Sequence, residues 1–351
     1  VRSEAARPGA RLLRSALLLI PLGVALNVGL SLASTDRTVL EGLAGLPRGP
    51  LVVAVGLAFV SWGTNTLRLR LWTAFLGHRL SVAECLRLYL AGLLGSALTP
   101  TAAGGGALKW GLLVRRGFPA SGAASLLALE TVEDALFFAV ALPLAVAVGA
   151  FAEVGVVGEA AAAGGAGVTN AAVVAVGVAA AALCVVGAAG GVAARGGLGP
   201  RVRRWARRGL ARARGAARRF AGEVRGVLAL VAQRGKGVFA ATLTLTAVQW
   251  SARYSVVTAV LAFLGVPARP LTYGALQWAT FTLSSFVPTP GGAGGAEVAF
   301  AVLYSPFVPV GVLGSATALW RLVLFYVPLV AAVVVFYALG GWRAGARPAE
   351  R

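Results

Sequence analysis

Seven ionisable side chains stand inside long apolar runs of this sequence: Lys109, Glu130, Glu133, Asp134, Arg253, Glu297 and Arg321. Glu130, Glu133 and Asp134 are spaced by three and four residues, which puts them on one face of a helix. Lys109 closes the stretch SALTPTAAGGGALK (96–109) and Glu297 closes SSFVPTPGGAGGAE (284–297), so two Pro/Gly-rich segments each end in a charge, of opposite sign. A charge at the centre of a bilayer costs about 2.5–3.5 kcal/mol on insertion scales, so each such residue needs a partner or a task. Two assignments fit. In one, Lys109, Arg253 and Arg321 bind an anionic head group in a polar cavity while the carboxylates tune its charge or relay protons. In the other, the same residues form a static buried ion-pair network that fixes helix register.

The tips of the two segments carry Pro100, Gly104 and Gly105 in the first and Pro288, Pro290, Gly291 and Gly292 in the second. Proline ends one half-helix and glycine permits a tight turn, which leaves amides of the next half-helix free to face a phosphate or carboxylate. Glycines so placed serve equally for close helix packing. Other chemistry is poorly provided for. His78 is the only histidine, so neither a zinc site nor a histidine-based triad is expected. Cys85 and Cys184 show no pairing pattern or metal-ligand spacing. No metal, no cofactor and no enzymatic activity are expected, although paired acids in a cavity are able to do general acid/base work.

The elements that position these residues follow from composition. Of 351 residues, 58% are hydrophobic and 13% charged, and the mean hydropathy is +0.82. Such values exclude a soluble globular domain and a disordered chain, and the 47 glycines have no collagen period. The expected class is an all-α polytopic membrane protein forming a single integral-membrane domain over 1–351. A span needs about 20 apolar residues. Six segments qualify: 15–34, 51–72, 118–150, 169–193, 237–263 and 310–339. Residues 86–115 and 271–304 are broken at their centres by proline and glycine, and read as re-entrant hairpins.

The net charge of +20 comes from 32 basic and 12 acidic residues. Basic residues between apolar spans act as topology signals, and no nucleic-acid partner is expected. The presumed inner segments (2–14, 68–87, 115–116, 195–236 and 343–351) hold 26 Arg and Lys, against Arg37, Arg48 and Arg269 outside. By the positive-inside rule both termini are cytoplasmic in a multi-pass protein of the plasma membrane. The segment 195–236 reads as a basic amphipathic helix on the inner leaflet, or as a long positive-inside determinant.

Sliding the sequence against itself by 188 residues brings Trp62 onto Trp250, Phe75-Leu76-Gly77 onto Phe263-Leu264-Gly265, Ser96 onto Ser284, Pro100-Thr101 onto Pro288-Thr289, and Leu136-Phe137 onto Leu324-Phe325. The helices bearing Trp62 and Trp250 run in opposite directions under the charge-based topology. Two inverted repeats are therefore expected, 15–150 and 169–339. Inverted repeats with interrupted segments at corresponding places point to a transporter with its site near the midplane.

PTPGGAGGAE at 288–297, followed by Gly311, Arg321 and Tyr326, resembles the second motif of a known family, the flippase-like transmembrane region of lysylphosphatidylglycerol synthases and its stand-alone relatives. PTAAGGGALK at 100–109 is similar to that family's first Pro/Gly motif, and ETVED at 130–134 to its Glu-Arg-x-x-Asp motif, with Thr131 in place of the arginine. The resemblance implies a lipid-binding or lipid-translocating domain with Lys109, Glu130, Asp134, Glu297 and Arg321 as site residues. It also implies an anionic phospholipid or polyprenyl-phosphate-linked lipid as the partner. The synthase's soluble aminoacyl-transferring domain is not expected after the last span. The alternatives to a flippase or scramblase are a membrane-embedded lipid-modifying enzyme and a non-transporting membrane partner. Oligomeric state has no signature in the sequence.

The topology is testable directly. Single cysteines at Gly164 and Gly215, in a background lacking Cys85 and Cys184, are expected to react with an impermeant reagent from opposite sides of the membrane. Labelling of both from one side removes the inversion.

Overall fold

The computed structural model describes residues 45–99, 103–161 and 231–341 except 286 and 288, together with positions 215, 222, 225, 226 and 229. The expected spans 15–34 and 169–193, most of 195–236, Pro100, Pro288, Cys184 and both termini lie outside the described residues.

All regular structure among the described residues is helical: α1 (Gly49–Phe75), α2 (Val82–Leu98), α3 (Ala103–Arg115), α4 (Ala120–Ala161), α5 (Lys236–Phe263), α6 (Pro270–Ser285), α7 (Gly295–Tyr304), α8 (Val310–Arg321) and α9 (Val327–Ala338). One π-helical turn, Val231–Gly235, leads into α5, and another, Leu322–Tyr326, joins α8 to α9. Among the described residues α1 and the continuous 29-residue α8–α9 are long and apolar enough to cross a membrane by themselves. α5 has 28 residues and α4 has 42. α4 runs beyond the expected span 118–150, continuing as helix to Ala161.

Local chemistry sets the helix ends. Ser81 and Glu84 form a reciprocal capping box that starts α2. Glu84 also pairs with Arg116 just beyond α3, which ties the open end of the α2–α3 pair together. α1 and α5 stop in the same way. Gly77 (φ +84°) and Gly265 (φ +78°) adopt the left-handed conformation that closes a helix C-terminus. The Gly77 amide donates to Ala74 O and the His78 amide to Thr73 O. Gly265 and Val266 repeat this on Ala262 O and Leu261 O. The offset between the two sets is the 188 residues of the sequence self-match.

α1 lies along α5 in the most extensive helix contact. The buried stripe of α1 includes Ala54, Ala58, Ser61, Arg68 and Trp72, and that of α5 includes Thr242, Thr246, Gln249, Ala252 and Val256. Small side chains let two backbones approach where lipid removes the hydrophobic drive for association. Around this axis α2 packs on α1, α3 and α9, while α6 packs on α5, α7 and α4. α4 also touches α5, and the π turn after Arg321 touches α1.

The two broken segments differ in how they use glycine. In the first, Gly92 and Gly95 of α2 face Gly104 and Gly105 of α3 so closely that a Cβ at Gly95 would lie 2.8 Å from the Gly104 carbonyl oxygen. The Thr99 hydroxyl donates to Gly95 O (2.7 Å) and accepts from the Gly104 amide (2.8 Å), which pins the corner. In the second, Gly291, Gly292 and Gly294 all have positive φ, at +62°, +66° and +82°. A Cβ at Gly291 would strike the Phe325 ring.

Neighbouring glycines separate these roles. Gly105→Ala would drive a methyl into Ser96 and the Gly92 carbonyl, and is expected to destabilise by about 1–3 kcal/mol as other overpacking changes do. Gly106 has open space at its Cβ, so Gly106→Ala is expected to be neutral or stabilising by up to about 1 kcal/mol through helix propensity. Thermal unfolding of the purified protein in detergent ranks the two.

Candidate functional site

The three acids of α4 do meet on one face, and a residue the sequence left among the inner-side charges organises them. Arg68 of α1 is only 1% exposed. Its Nε donates to Glu133 Oε2 at 2.5 Å, one terminal nitrogen donates to Asp134 Oδ1 at 3.0 Å, and the other donates to the Glu130 backbone carbonyl at 2.5 Å. Glu133, fully buried, also accepts from Trp72 Nε1 at 3.0 Å and from the Thr242 hydroxyl of α5. Asp134 accepts from Trp250 Nε1 of α5 at 3.1 Å. One guanidinium and two carboxylates thus bind α1, α4 and α5 to one another, with most of their hydrogen-bonding capacity used. Asn65 and Arg68 belong to the same buried or half-buried stripe as Ser61 and Trp72. That spacing was the available signal for Arg68.

Lys109 and Glu297 do not pair with each other. Lys109 Nζ reaches both carboxylate oxygens of Glu130, at 2.5 and 2.6 Å, and links α3 to α4. Arg321 Nε donates to Glu297 Oε1 at 2.7 Å and links α8 to α7. The other Glu297 oxygen accepts from the Gly294 amide at 2.7 Å, and a terminal nitrogen of Arg321 donates to Gly291 O at 3.1 Å. The Arg321 guanidinium carbon stands 4.6 Å from the centre of the Phe325 ring, against which Gly291 is packed. The glycine turn is therefore clamped from one side by an arginine and an aromatic ring. Arg253 differs from both other cations. Its guanidinium carbon lies 5.2 Å from the centre of the Phe281 ring, and among the described residues it has no ion pair.

These groups surround a cavity of about 580 Å³ between α1, α2, α3, α4, α5, α6 and the end of α8. Lys109, Glu130, Asp134, Arg253 and Arg321 line it, with Asn65, Tyr89, Ser96 and Ser284 as neutral polar neighbours. Gly105, Gly291 and Gly292 also line it, whereas Gly104 packs on Thr99 and Gly95. Glu133 and Glu297 stand behind the lining and act through Arg68 and Arg321. Pro290 lies in the turn of the second segment. The arrangement provides cations, hydroxyls and close backbone in one polar space, enclosed by helices whose outward faces are apolar. Val140 (67% exposed) and Val334 (63%) are examples.

Residues 13–332 match the family model described as the lysylphosphatidylglycerol synthase TM region. The chain belongs to that family. It is also similar to a UPF0104 membrane protein of Archaeoglobus fulgidus, 28% identical over 295 residues that cover 82% of this chain and 86% of the relative. The family match takes in α1 to α8 and half of α9, so the cavity and all of its ion pairs lie within it. The chain is a membrane protein of a lipid-related family, helical throughout the regular structure of its described residues.

Removing one partner of a buried ion pair strands the other charge, at a cost of about 3–5 kcal/mol. Arg68→Gln leaves Glu133 and Asp134 without their cation and is expected to abolish or sharply lower the yield of folded protein. Arg253→Gln removes a cation with no ion pair among the described residues and is expected to leave the melting temperature within a few degrees of wild type. Parallel purification and thermal unfolding in detergent separate the framework charge from the cavity charge.

Proposed function

We propose that this protein moves a lipid with an anionic head group, an anionic phospholipid or a polyprenyl-phosphate-linked lipid, between the leaflets of the plasma membrane. The observation that carries the reading is the convergence of Lys109, Arg253 and Arg321 on one polar cavity of about 580 Å³ within a helical membrane protein. Membership of a lipid-related family supports it. The head group crosses through the cavity while the tails stay among the apolar outer faces, and no chemical step is required.

The mechanism rests on two inverted halves, 15–150 and 169–339, with both termini cytoplasmic and with α2–α3 and α6–α7 as re-entrant pairs. Several observations support this. α3 has 13 residues and α7 has 10, each short of the roughly 20 needed to cross. The helix stops at Gly77 and Gly265 share one hydrogen-bond pattern. Part of the packing also repeats when the halves are exchanged, since α4 contacts α5 and α6 while α8–α9 and its π turn contact α1 and α2. Such symmetry lets a cavity open toward either side by movement of one half against the other.

Reconstitution into liposomes carrying fluorescent phosphatidylglycerol or polyprenyl-phosphate lipids tests the reading. Wild type is expected to catalyse leaflet exchange. Lys109→Gln and Arg321→Gln are expected to slow it about tenfold or more, equivalent to the loss of a charge-assisted hydrogen bond. The double variants Lys109→Gln/Glu130→Gln and Arg321→Gln/Glu297→Gln are expected to stay slow even where folding recovers. Exchange that falls and recovers in step with thermal stability makes the charges scaffolding, and absence of exchange by wild type with every lipid removes the reading.

A further inference from the structure

The charges lining the cavity are not equivalent in their pairing. Lys109 is neutralised by Glu130 and Arg321 by Glu297. Asp134 is engaged by Arg68 and by the Trp250 indole. Arg253 is the lining cation that has a ring beneath it and no ion pair among the described residues. A guanidinium stacked on an aromatic face keeps its donor edge available for a phosphate oxygen.

A second cavity adjoins the first. It measures about 640 Å³ and is lined almost entirely by apolar side chains of α4 (Leu136 to Leu144), α5 (Leu243 to Ser255) and α6 (Pro270 to Ala275). The two spaces share α4, α5 and α6. On α4 the polar cavity takes Glu130 and Asp134 and the apolar groove begins two residues later at Leu136. On α5 Arg253 faces the polar space, while Trp250 and Tyr254 line the groove. A chain of rings marks the border: Phe138 to Trp250 at 4.8 Å, Trp250 to Tyr254 at 5.5 Å, and Tyr254 to Phe281 at 5.9 Å. The Trp250 indole N–H crosses that border to Asp134.

We propose that these two spaces form one site for a single amphiphile, with Arg253 as the specificity-determining anchor for one phosphodiester negative charge and the α4–α5–α6 groove as the seat of its acyl tail. The proposal deepens the lipid-translocation reading and rests on it. Although Glu133 and Asp134 share the single cation Arg68, Arg253 holds no ion pair among the described residues and offers its donor edge to one negative charge. A phosphomonoester, which approaches two charges near neutral pH, finds its second charge facing Glu130 and Asp134. The polar wall and apolar groove supply the two chemistries of a lipid in the order that a lipid presents them, and the tail is the occupant that continuity with the head-group cavity selects.

The test reads Trp250, which lines the groove and donates its indole N–H to Asp134 on the cavity wall. The purified protein in maltoside micelles is titrated with lipids brominated on the acyl chain, and the quenching missing in Trp250→Phe is assigned to Trp250. Brominated phosphatidylglycerol, phosphatidate and diacylglycerol share tails and differ in head charge. Wild type is expected to reach half-quenching with phosphatidylglycerol at about a tenth of the mole fraction needed for diacylglycerol, and Arg253→Gln to erase that advantage. Arg253→Lys is expected to recover part of it. Equal quenching by phosphatidylglycerol and diacylglycerol means annular lipid and overturns the proposal. So does phosphatidate binding tenfold more tightly than phosphatidylglycerol, and so does absence of Trp250 quenching by every lipid, which means that protein fills the groove. In case Trp250→Phe fails to fold, phosphatidylglycerol with a diazirine on its tail is cross-linked to the unmodified protein. Adducts on residues 136–144 support the site, and adducts spread over all outer helix faces overturn it. Leaflet exchange measured on the same preparations keeps the two ideas apart. Exchange by wild type without head-group-selective quenching sinks this site alone, and selective quenching without exchange sinks translocation alone.

Discussion

A guanidinium sealed among three helices is the constraint on which the rest of this structure depends. In water the Arg68 charge would be a minor contributor, because exposed ion pairs are worth about 0–1 kcal/mol. Among membrane helices the desolvated charge is intolerable without partners, and the partners come from different elements: Glu133 and Asp134 from α4, the latter two held in turn by Trp72 of α1 and by Thr242 and Trp250 of α5. The requirement to satisfy every donor sets the rotation of α4 about its own axis and its height against α1 and α5. Apolar packing between helices cannot set either so narrowly, since lipid offers each apolar face nearly the same environment. Glu130, one turn before Asp134 on the same face, is brought to the cavity wall as a consequence.

The cavity follows from that frame together with the two short helix pairs. α2–α3 is held close by backbone contact at Gly95 and Gly104, and α6 is joined to α7 through a turn whose glycines take conformations closed to other residues. Each pair is then attached to the helix that follows it by one lining ion pair, Lys109 to Glu130 and Arg321 to Glu297. The polarity is reversed between the two, but the construction is the same: a charge at the end of a Pro/Gly segment meets its opposite on the next helix.

Much of this was legible in the sequence. The membrane class and the bounds of α1, α5 and α8–α9 follow from apolar length, and Phe75-Leu76-Gly77 with Phe263-Leu264-Gly265 already mark where two of them stop. Lys109, Glu130, Asp134, Arg253 and Arg321, which line the cavity, stood out in the sequence because a charge inside an apolar run must have a reason, whether a site or a register-fixing pair. Arg68 was not, since it stands in the run Leu67-Arg68-Leu69-Arg70 at the basic end of a span, where charge counting assigns it to the inner surface. Its burial depends on the stripe it shares with Ser61 and Trp72 and on acids 65 and 66 residues away. The pairing scheme was out of reach for the same reason. Lys109 and Glu297 correspond in sequence and carry opposite charges, yet which acid meets which base is decided by helix neighbours. The expected span 118–150 stopped short of α4, whose helix runs to Ala161.

The distribution of pairs also divides the molecule by rigidity. Arg68 and Glu133 are 2% and 0% exposed at their side chains, whereas the Glu130 and Glu297 ends of the other pairs are 15% and 12% exposed. A sealed pair has no competitor for its partners, and opening it strands charge in a low-dielectric interior. A pair on a cavity wall is different, because water or an anionic group entering the cavity takes over part of the hydrogen bonding as the pair separates, so the barrier to exchange is lower. On the lipid-translocation reading, the α1–α4–α5 frame keeps its geometry and the two short pairs are the elements whose attachments a ligand replaces. On the same reading, Lys109 and Arg321 are places where binding energy is exchanged against fold energy, while Arg253, which holds no ion pair among the described residues, contributes its charge without giving up one.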